Sequence, residues 1–158
     1  MVNSKILFLD VYKNSSTRVS KDTAGGYGTE NTLGHGLLAP IAEWIIKRGV
    51  FWPHLGFMHS ANELKSQGFT VFYRKILSGK IQKFIDEIEQ DCPDVIFLCS
   101  SLVCFETEVA TAGKLLEKIP AVNVVFLGQI AIELQHQIPK QISIIGGNYE
   151  FLFADRYS

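Results

Sequence analysis

Residues 5–10 read Lys5-Ile6-Leu7-Phe8-Leu9-Asp10, and the interpretation of the whole chain begins with them. A short apolar run that ends in Asp, without alternating polar residues, is typical of a parallel strand covered by helices on both faces. The first strand of a doubly wound sheet is central, and ligands bind outside the carboxyl ends of such strands. We therefore expect a ligand to contact the segment from Asp10 to Gly36.

The size and composition of the chain predict a single domain over residues 1–158. Hydrophobic residues make up 47% of the 158 residues and charged residues 20%, as in globular proteins with a core. The net charge of -1 argues against a large phosphate-binding surface, so nucleic acid is not an expected partner. No apolar run is long enough to cross a bilayer, and no signal peptide is recognisable. We expect a cytoplasmic protein with no membrane partner and three reduced cysteines.

Apolar periodicity after the first strand predicts strands that alternate with helices. The further strands are predicted at 69–73, 95–99, 122–127 and 142–145, and the helices at 37–48, 53–67, 78–92, 105–117 and 131–136. In the helix at 105–117 the pattern predicts that Val109, Ala112 and Leu116 are buried. The residues predicted to face water there are Glu106, Glu108, Lys114 and Glu117. This alternation predicts a flavodoxin-like (Rossmann-like), three-layer α/β/α fold with a doubly wound, five-stranded parallel sheet of order 2-1-3-4-5.

Three predicted strand ends carry small or polar residues: Asp10 to Ser15, Ser100-Ser101-Leu102, and Gly128-Gln129. Strands one, three and four are neighbours in the predicted order, so these ends would line one crevice. The alternative is that small residues at such positions serve only the turns. The long segment 13–36, which contains Gly25-Gly26-Tyr27-Gly28, is either a functional loop or a mobile insertion.

Several sharper motifs are absent. The glycine cluster does not join the first strand to a helix, so it is not a dinucleotide fingerprint, and no phosphate-loop signature is present. His54 and His59 are five residues apart, which does not aim two ligands at one metal. No serine or cysteine has a partner that would mark it as a nucleophile. The sequence thus predicts no catalytic residue.

A family resemblance extends over nearly the whole chain. Its residues lie in the first strand, in the glycine-rich loop, at both ends of one helix and after the later strands. They are Lys5-Ile6-Leu7-Phe8-Leu9-Asp10, Thr23-Ala24-Gly25-Gly26-Tyr27-Gly28-Thr29, Trp52-Pro53-His54-Leu55-Gly56, Gln67-Gly68-Phe69-Thr70-Val71, Pro93-Asp94-Val95-Ile96, Ser100-Ser101-Leu102, Gly128-Gln129 and Gly146-Gly147-Asn148-Tyr149-Glu150. In this order they resemble the cobalamin (B12)-binding domain that precedes the catalytic barrel of B12-dependent radical S-adenosylmethionine proteins.

The resemblance implies a module that presents a corrinoid at the carboxyl edge of the sheet. Cobalamin-binding domains carry Asp-x-His-x-x-Gly after strand one, and Tyr12 stands here in the place of the histidine. The resemblance therefore implies cobalamin held without histidine ligation, and no metal ligand from the protein. The residues it implies as cofactor-binding are Asp10, Tyr12, Ser15, Ser100, Ser101, Leu102, Gly128, Gln129, Gly146 and Gly147, and the loop over the site is Gly25, Gly26, Tyr27 and Gly28.

The catalytic half of such a protein has no counterpart in this sequence. No Cys-x-x-x-Cys-x-x-Cys loop for an iron–sulfur cluster is present, so S-adenosylmethionine and the 4Fe-4S cluster would belong to a separate C-terminal radical domain, the implied partner. Residues 148–158 would be a connector to that domain, and their apolar side chains would favour a homodimer when exposed. The chain by itself would not be catalytic.

Two other functions stay open at this point. One is an interaction or regulatory domain that keeps the fold without a ligand, as Tyr12, Ser15 and Gln129 favour. The other is a small flavodoxin-like protein that binds a nucleotide or flavin, for which Ser15-Ser16-Thr17 is the candidate phosphate-binding segment.

Overall fold

The structure is a computed structural model that describes residues 4–13, 36–42 and 55–146. Its five strands are β1 (Lys5–Tyr12), β2 (Thr70–Leu77), β3 (Val95–Cys99), β4 (Asn123–Leu127) and β5 (Ser143–Ile145). All neighbouring strands are parallel, and their order is β2-β1-β3-β4-β5. The predicted flavodoxin-like architecture is therefore confirmed. The strand β2 extends four residues beyond its predicted end at Tyr73, to Leu77.

The strands are connected by helices that cover the two faces of the sheet. The described helices are α1 (Leu55–Ser66), α2 (Ile81–Asp91), α3 (Phe105–Lys118) and α4 (Gln129–Glu133), with 3-10 turns at Ser78–Lys80 and Gln135–Gln137. A helical turn also covers residues 39–42, inside the first predicted helix. The chain leaves α1 through Gly68, whose φ of +91° is a conformation that glycine adopts without strain. No helix in the described ranges is long and apolar enough to span a membrane.

The central strand β1 divides the core into two layers because its side chains alternate between the faces. Leu7, Leu9 and Val11 pack in the layer that contains α2 and α3, whereas Ile6 and Phe8 pack in the layer that contains α1. The ring of Phe8 lies 5.0 Å from that of Phe57 and 5.2 Å from that of Phe97, between centroids. Burial on both faces explains why residues 6–9 show no polar alternation.

The helix α3 buries one residue that the sequence predicts to face water, while Val109, Ala112 and Leu116 lie against the core as predicted. Glu108 is fully buried (0% exposed), which corrects the prediction that it faces water. Val109 and Leu116 are only half-buried, while Ala112 is buried as expected. The residues that α3 buries are Phe105, Glu108, Thr111, Ala112 and Leu115. The buried stripe therefore follows the spacing of Phe105, Ala112 and Leu115, and it includes a carboxyl group whose hydrogen bonds are described below.

Candidate functional site

The carboxyl ends of β1, β3 and β4 lie side by side at one edge of the sheet. Leu9 pairs with Leu98, and Cys99 pairs with Leu127, so the residues that follow these strands come together at that edge. Asp10, Ser100 and Gly128 thus occupy neighbouring strand ends, as the sequence predicts. We call this region the carboxyl edge: Asp10, Tyr12, Ser100, Ser101, Leu102, Gly128, Gln129 and Gly146.

At the end of β1 a buried carboxylate is surrounded by tyrosine hydroxyls. The Tyr12 hydroxyl donates a hydrogen bond of 2.6 Å to Asp10 Oδ2, and the Tyr73 hydroxyl lies 3.4 Å from the same oxygen. Burial, reinforced by the adjacent Asp10 carboxylate, raises the pKa of Tyr12 far above its ordinary value near 10, so the phenol remains a donor. Both Asp10 and Tyr12 are buried. These side chains therefore join β1 to β2 and do not face an incoming ligand.

At the end of β3 the first serine is bound to the neighbouring strand. The backbone N–H and the Oγ of Ser100 both donate to the carbonyl oxygen of Leu127, at 3.0 Å and 2.8 Å. Gly128 follows with a φ of +104°, and a Cβ at that position would lie 3.6 Å from Ser100 Oγ. Ser100 and Gly128 together therefore form a closely packed junction between β3 and β4.

The second serine, Ser101, is held by Glu108, a site residue that the sequence did not predict. The Ser101 N–H donates to Glu108 Oε2 at 3.0 Å, and Ser101 Oγ donates to Glu108 Oε1 at 3.1 Å. Glu108 belongs to the first turns of α3, where the helix dipole stabilises a negative charge. This buried carboxyl group holds the loop from Ser101 to Cys104 in one conformation, and it thereby determines where Leu102 stands.

The accessible part of the carboxyl edge is a rim of apolar and small groups. The Leu102 side chain is 53% exposed, and Ile132 is also exposed. Gln129 and Gly146 are exposed, and Gly128 is half-buried. A Cβ on Gly146 would overlap the side chain of Ile132, so this position favours glycine. The accessible rim therefore offers a ligand apolar side chains rather than open backbone.

Several predicted site residues lie outside the described residues. They are Ser15, Gly25, Gly26, Tyr27, Gly28 and Gly147, together with the connector 148–158. In the part of the chain that is described, no three His, Cys, Asp or Glu side chains are placed to hold a metal ion. Cys99 and Cys104 are buried and Cys92 is exposed, and all three are free thiols.

Among the described residues of this region, sequence reasoning missed Tyr73, Glu108 and Ile132, and the first two of them left a signal. Tyr73 pairs with Phe8 in the sheet, so it shares a face with Asp10 once the register is known. Glu108 is three residues after Phe105 and four before Ala112, which is the helical spacing of a buried position. A helix wheel that starts at Phe105 would have placed Glu108 in the core.

The described hydroxyl groups of the carboxyl edge are engaged within the protein. Tyr12, Ser100 and Ser101 each direct a hydroxyl group to a protein acceptor, and all three are at most 3% exposed. The exposed rim offers apolar contact to a ligand. Comparison with protein-family models, with curated proteins and with solved structures finds no match for this chain.

Proposed function

We propose that this chain is a corrinoid-binding module that holds cobalamin against the rim of the carboxyl edge for use by a separate radical S-adenosylmethionine domain. The observation that carries the proposal is Leu102: a large apolar side chain, 53% exposed, on a loop that Glu108 holds in place. An exposed apolar group on a fixed loop, at the edge of the sheet where the strands end, suits the face of a large flat ring.

The chemistry of the residues present fits a corrinoid held without a protein ligand to the cobalt. Tyr12, which stands where the cobalamin-binding domains have histidine, is buried and donates its hydroxyl group to Asp10. Leu102 would pack on the ring, while Gly128 and Gln129 would lie along its amide-bearing margin. When bound, the corrinoid would supply a cobalt centre for methyl transfer or radical chemistry. The role of this chain would be to bind and orient the cofactor.

A specific observation favours the second candidate, an interaction domain of the same fold that binds no cofactor. Ser100, which the resemblance implies as a contact for the nucleotide tail of cobalamin, is 1% exposed and donates its hydroxyl to Leu127. In that candidate the exposed Leu102 would contact another protein domain. The two candidates differ in whether the free chain binds cobalamin.

The test is a titration of the chain with hydroxocobalamin, followed by absorbance and calorimetry. We expect saturable binding that Leu102→Ser weakens about tenfold, because burial of part of a leucine side chain is worth about 1.5 kcal/mol. The matched control is Met58→Ser, which removes another exposed apolar side chain from α1 and should leave binding unchanged. If Leu102→Ser binds hydroxocobalamin as tightly as Met58→Ser does, the cofactor binds at another surface. Absence of binding would favour the interaction domain.

A further inference from the structure

A groove runs along β2 on the side of the sheet covered by α2. Its volume is about 260 Å³, and no carboxyl-edge residue lines it. Phe72 and Ile76 from β2 and Phe84 and Ile88 from α2 form an apolar lining. The charged residues around it are Arg74, Lys75, Lys80, Lys83, Glu87 and Asp91.

The strand beside this groove is the terminal strand of the sheet. Among the described residues, β1 is the strand that pairs with β2, and no strand follows on the other side. β2 has eight residues, whereas β5 at the opposite end has three. The outer edge of a long terminal strand presents backbone groups to which another extended strand can hydrogen-bond. The groove and the strand edge together form a surface that an added strand could cover.

The charges around the groove are segregated along its length. α2 starts near the carboxyl end of β2 and ends before β3 begins, so it runs opposite to the strands. Lys80 and Lys83 therefore lie toward the carboxyl end of the sheet, and Glu87 and Asp91 toward the amino end. The Lys83–Glu87 ion pair, at 3.6 Å, is largely exposed and therefore weak, so both groups can interact with a partner.

This distribution of charge is complementary to itself under a two-fold rotation. If β2 of one copy pairs antiparallel with β2 of another, the basic end of each groove lies beside the acidic end of the other. The same patch on both subunits then forms the interface, as in most homodimers. Arg74 and Lys75 make the groove basic on balance, but Glu87 and Asp91 at one end would repel a uniformly acidic partner, so a second copy of this chain is the occupant that the charges favour.

The side chains of β2 also favour one register of pairing. Directly opposite residues of an antiparallel pair share a face, so Arg74 can lie opposite Arg74, Phe72 or Ile76 of the second copy. The register with Ile76 places Lys75 opposite Lys75, which is unfavourable, so two registers remain, the first with Arg74 and the second with Phe72. The first register would bring two guanidinium groups together, which destabilises the pair. In the second, each guanidinium can cover an aromatic ring. We propose that two copies of this chain associate through antiparallel pairing of β2 in this second register, which joins the two five-stranded sheets.

The test is sedimentation velocity of the chain over a wide range of protein concentration, with two charge variants. The first variant, Lys80→Glu/Lys83→Glu, makes positions 80, 83, 87 and 91 along the groove all acidic. The second variant, Glu87→Lys/Asp91→Lys, makes the same four positions all basic. Each variant alone should dimerise at least about tenfold more weakly than the unchanged chain, because like charges then face each other. An equimolar mixture of the two should form a heterodimer at least as tightly as the unchanged chain forms its homodimer. Acidic residues early in α2 and basic residues late in it suit the helix dipole, so the variants should fold.

The matched control is Lys114→Glu/Lys140→Glu, which changes the same number of exposed lysines outside the groove. We expect it to dimerise like the unchanged chain, and we expect amide exchange in residues 70–77 to slow as the dimer forms. A chain that sediments as a monomer at every concentration would overturn the proposal. A dimer that both charge variants leave intact would also overturn it, since association would then occur through another surface.

Discussion

At the scale of single residues, Glu108 shows how a polar group can occupy a core position. Its carboxyl group accepts both hydrogen-bond donors of Ser101, and the pair is buried. Without the Glu108 carboxyl group, the N–H and the hydroxyl group of Ser101 would be buried and would lose their acceptor. Each buried donor that has no acceptor costs about 1–3 kcal/mol of stability. The loop that carries Leu102 therefore depends on a side chain in the helix that follows it.

We predict that Glu108→Ala lowers the free energy of unfolding by about 2–4 kcal/mol, from the lost hydrogen bonds and the cavity that remains. Urea denaturation measures the change. Glu106→Ala removes an exposed glutamate from the same turn of α3 and should change the stability by less than about 0.5 kcal/mol. Similar effects of the two substitutions would mean that the Ser101–Glu108 hydrogen bonds contribute nothing.

Tyr12 gives a prediction about pH. The pKa of the buried phenol is raised, whereas in the unfolded chain it returns to about 10. Above about pH 10 the unfolded state therefore releases a proton that the folded state keeps, and the free energy of unfolding falls by up to about 1.4 kcal/mol per pH unit. Below about pH 10 the contribution of Tyr12 to the free energy of unfolding is fully present.

Tyr12→Phe should remove this part of the alkaline loss of stability, and at neutral pH it should lower the free energy of unfolding by about 1.5–3 kcal/mol, because a hydrogen bond to a charged acceptor is lost. Denaturant unfolding from neutral to alkaline pH measures both effects. Tyr73→Phe is the control. We expect smaller changes from it, because the Tyr73 hydroxyl group lies farther from Asp10, at 3.4 Å. An unchanged alkaline slope in Tyr12→Phe would assign that slope to other groups.

At the scale of elements, the junction between β4 and α4 depends on backbone conformation. Gly128 has a φ of +104°, and Gly113 lies in the interior of α3 with open space where a Cβ would be. An L-residue held in an unfavourable conformation costs about 1–3 kcal/mol. In a helix, by contrast, glycine is less stable than alanine by about 0.5–1 kcal/mol. The same substitution should therefore have opposite effects in the two elements.

We predict that Gly128→Ala lowers the melting temperature and that Gly113→Ala raises it slightly. Thermal unfolding followed by circular dichroism measures both. A neutral Gly128→Ala would show that the junction relaxes to accept a Cβ. For the proposed function, Gly128→Ala should also weaken hydroxocobalamin binding more than its loss of stability explains, because relief of the strain at φ +104° would shift the backbone of the rim.

At the scale of the whole molecule, the sheet has a protected centre and less protected sides. β1 lies between β2 and β3, and seven of its eight residues are buried, whereas none of the three residues of β5 is buried. Amide exchange is slowest where opening requires most of the core to unfold. We predict that the amides of β1 exchange most slowly and those of β5 faster, as hydrogen-exchange mass spectrometry would measure. Equal rates would contradict a core centred on β1.

Local patterning in the sequence was sufficient to predict the fold class, the strand order and the placement of Asp10, Ser100 and Gly128 at adjacent strand ends. Apolar periodicity and turn residues are short-range properties, and few sheets are compatible with strands and helices in this alternation. The prediction for α3 failed at one residue, Glu108, for a related reason. A glutamate reads as water-facing unless its partner is known, and Ser101 lies outside the helix.

The roles of the polar side chains at the carboxyl edge were decided only by tertiary structure. Tyr73 is 63 residues from Asp10, and Ser100 is 27 residues from Leu127, yet each pair is in contact. Whether a hydroxyl group faces a ligand or an internal acceptor depends on strand register and on the packing of distant segments. Local sequence could place these residues at the same edge, but only the assembled sheet determined which of them became buried and which, like Leu102, remained exposed.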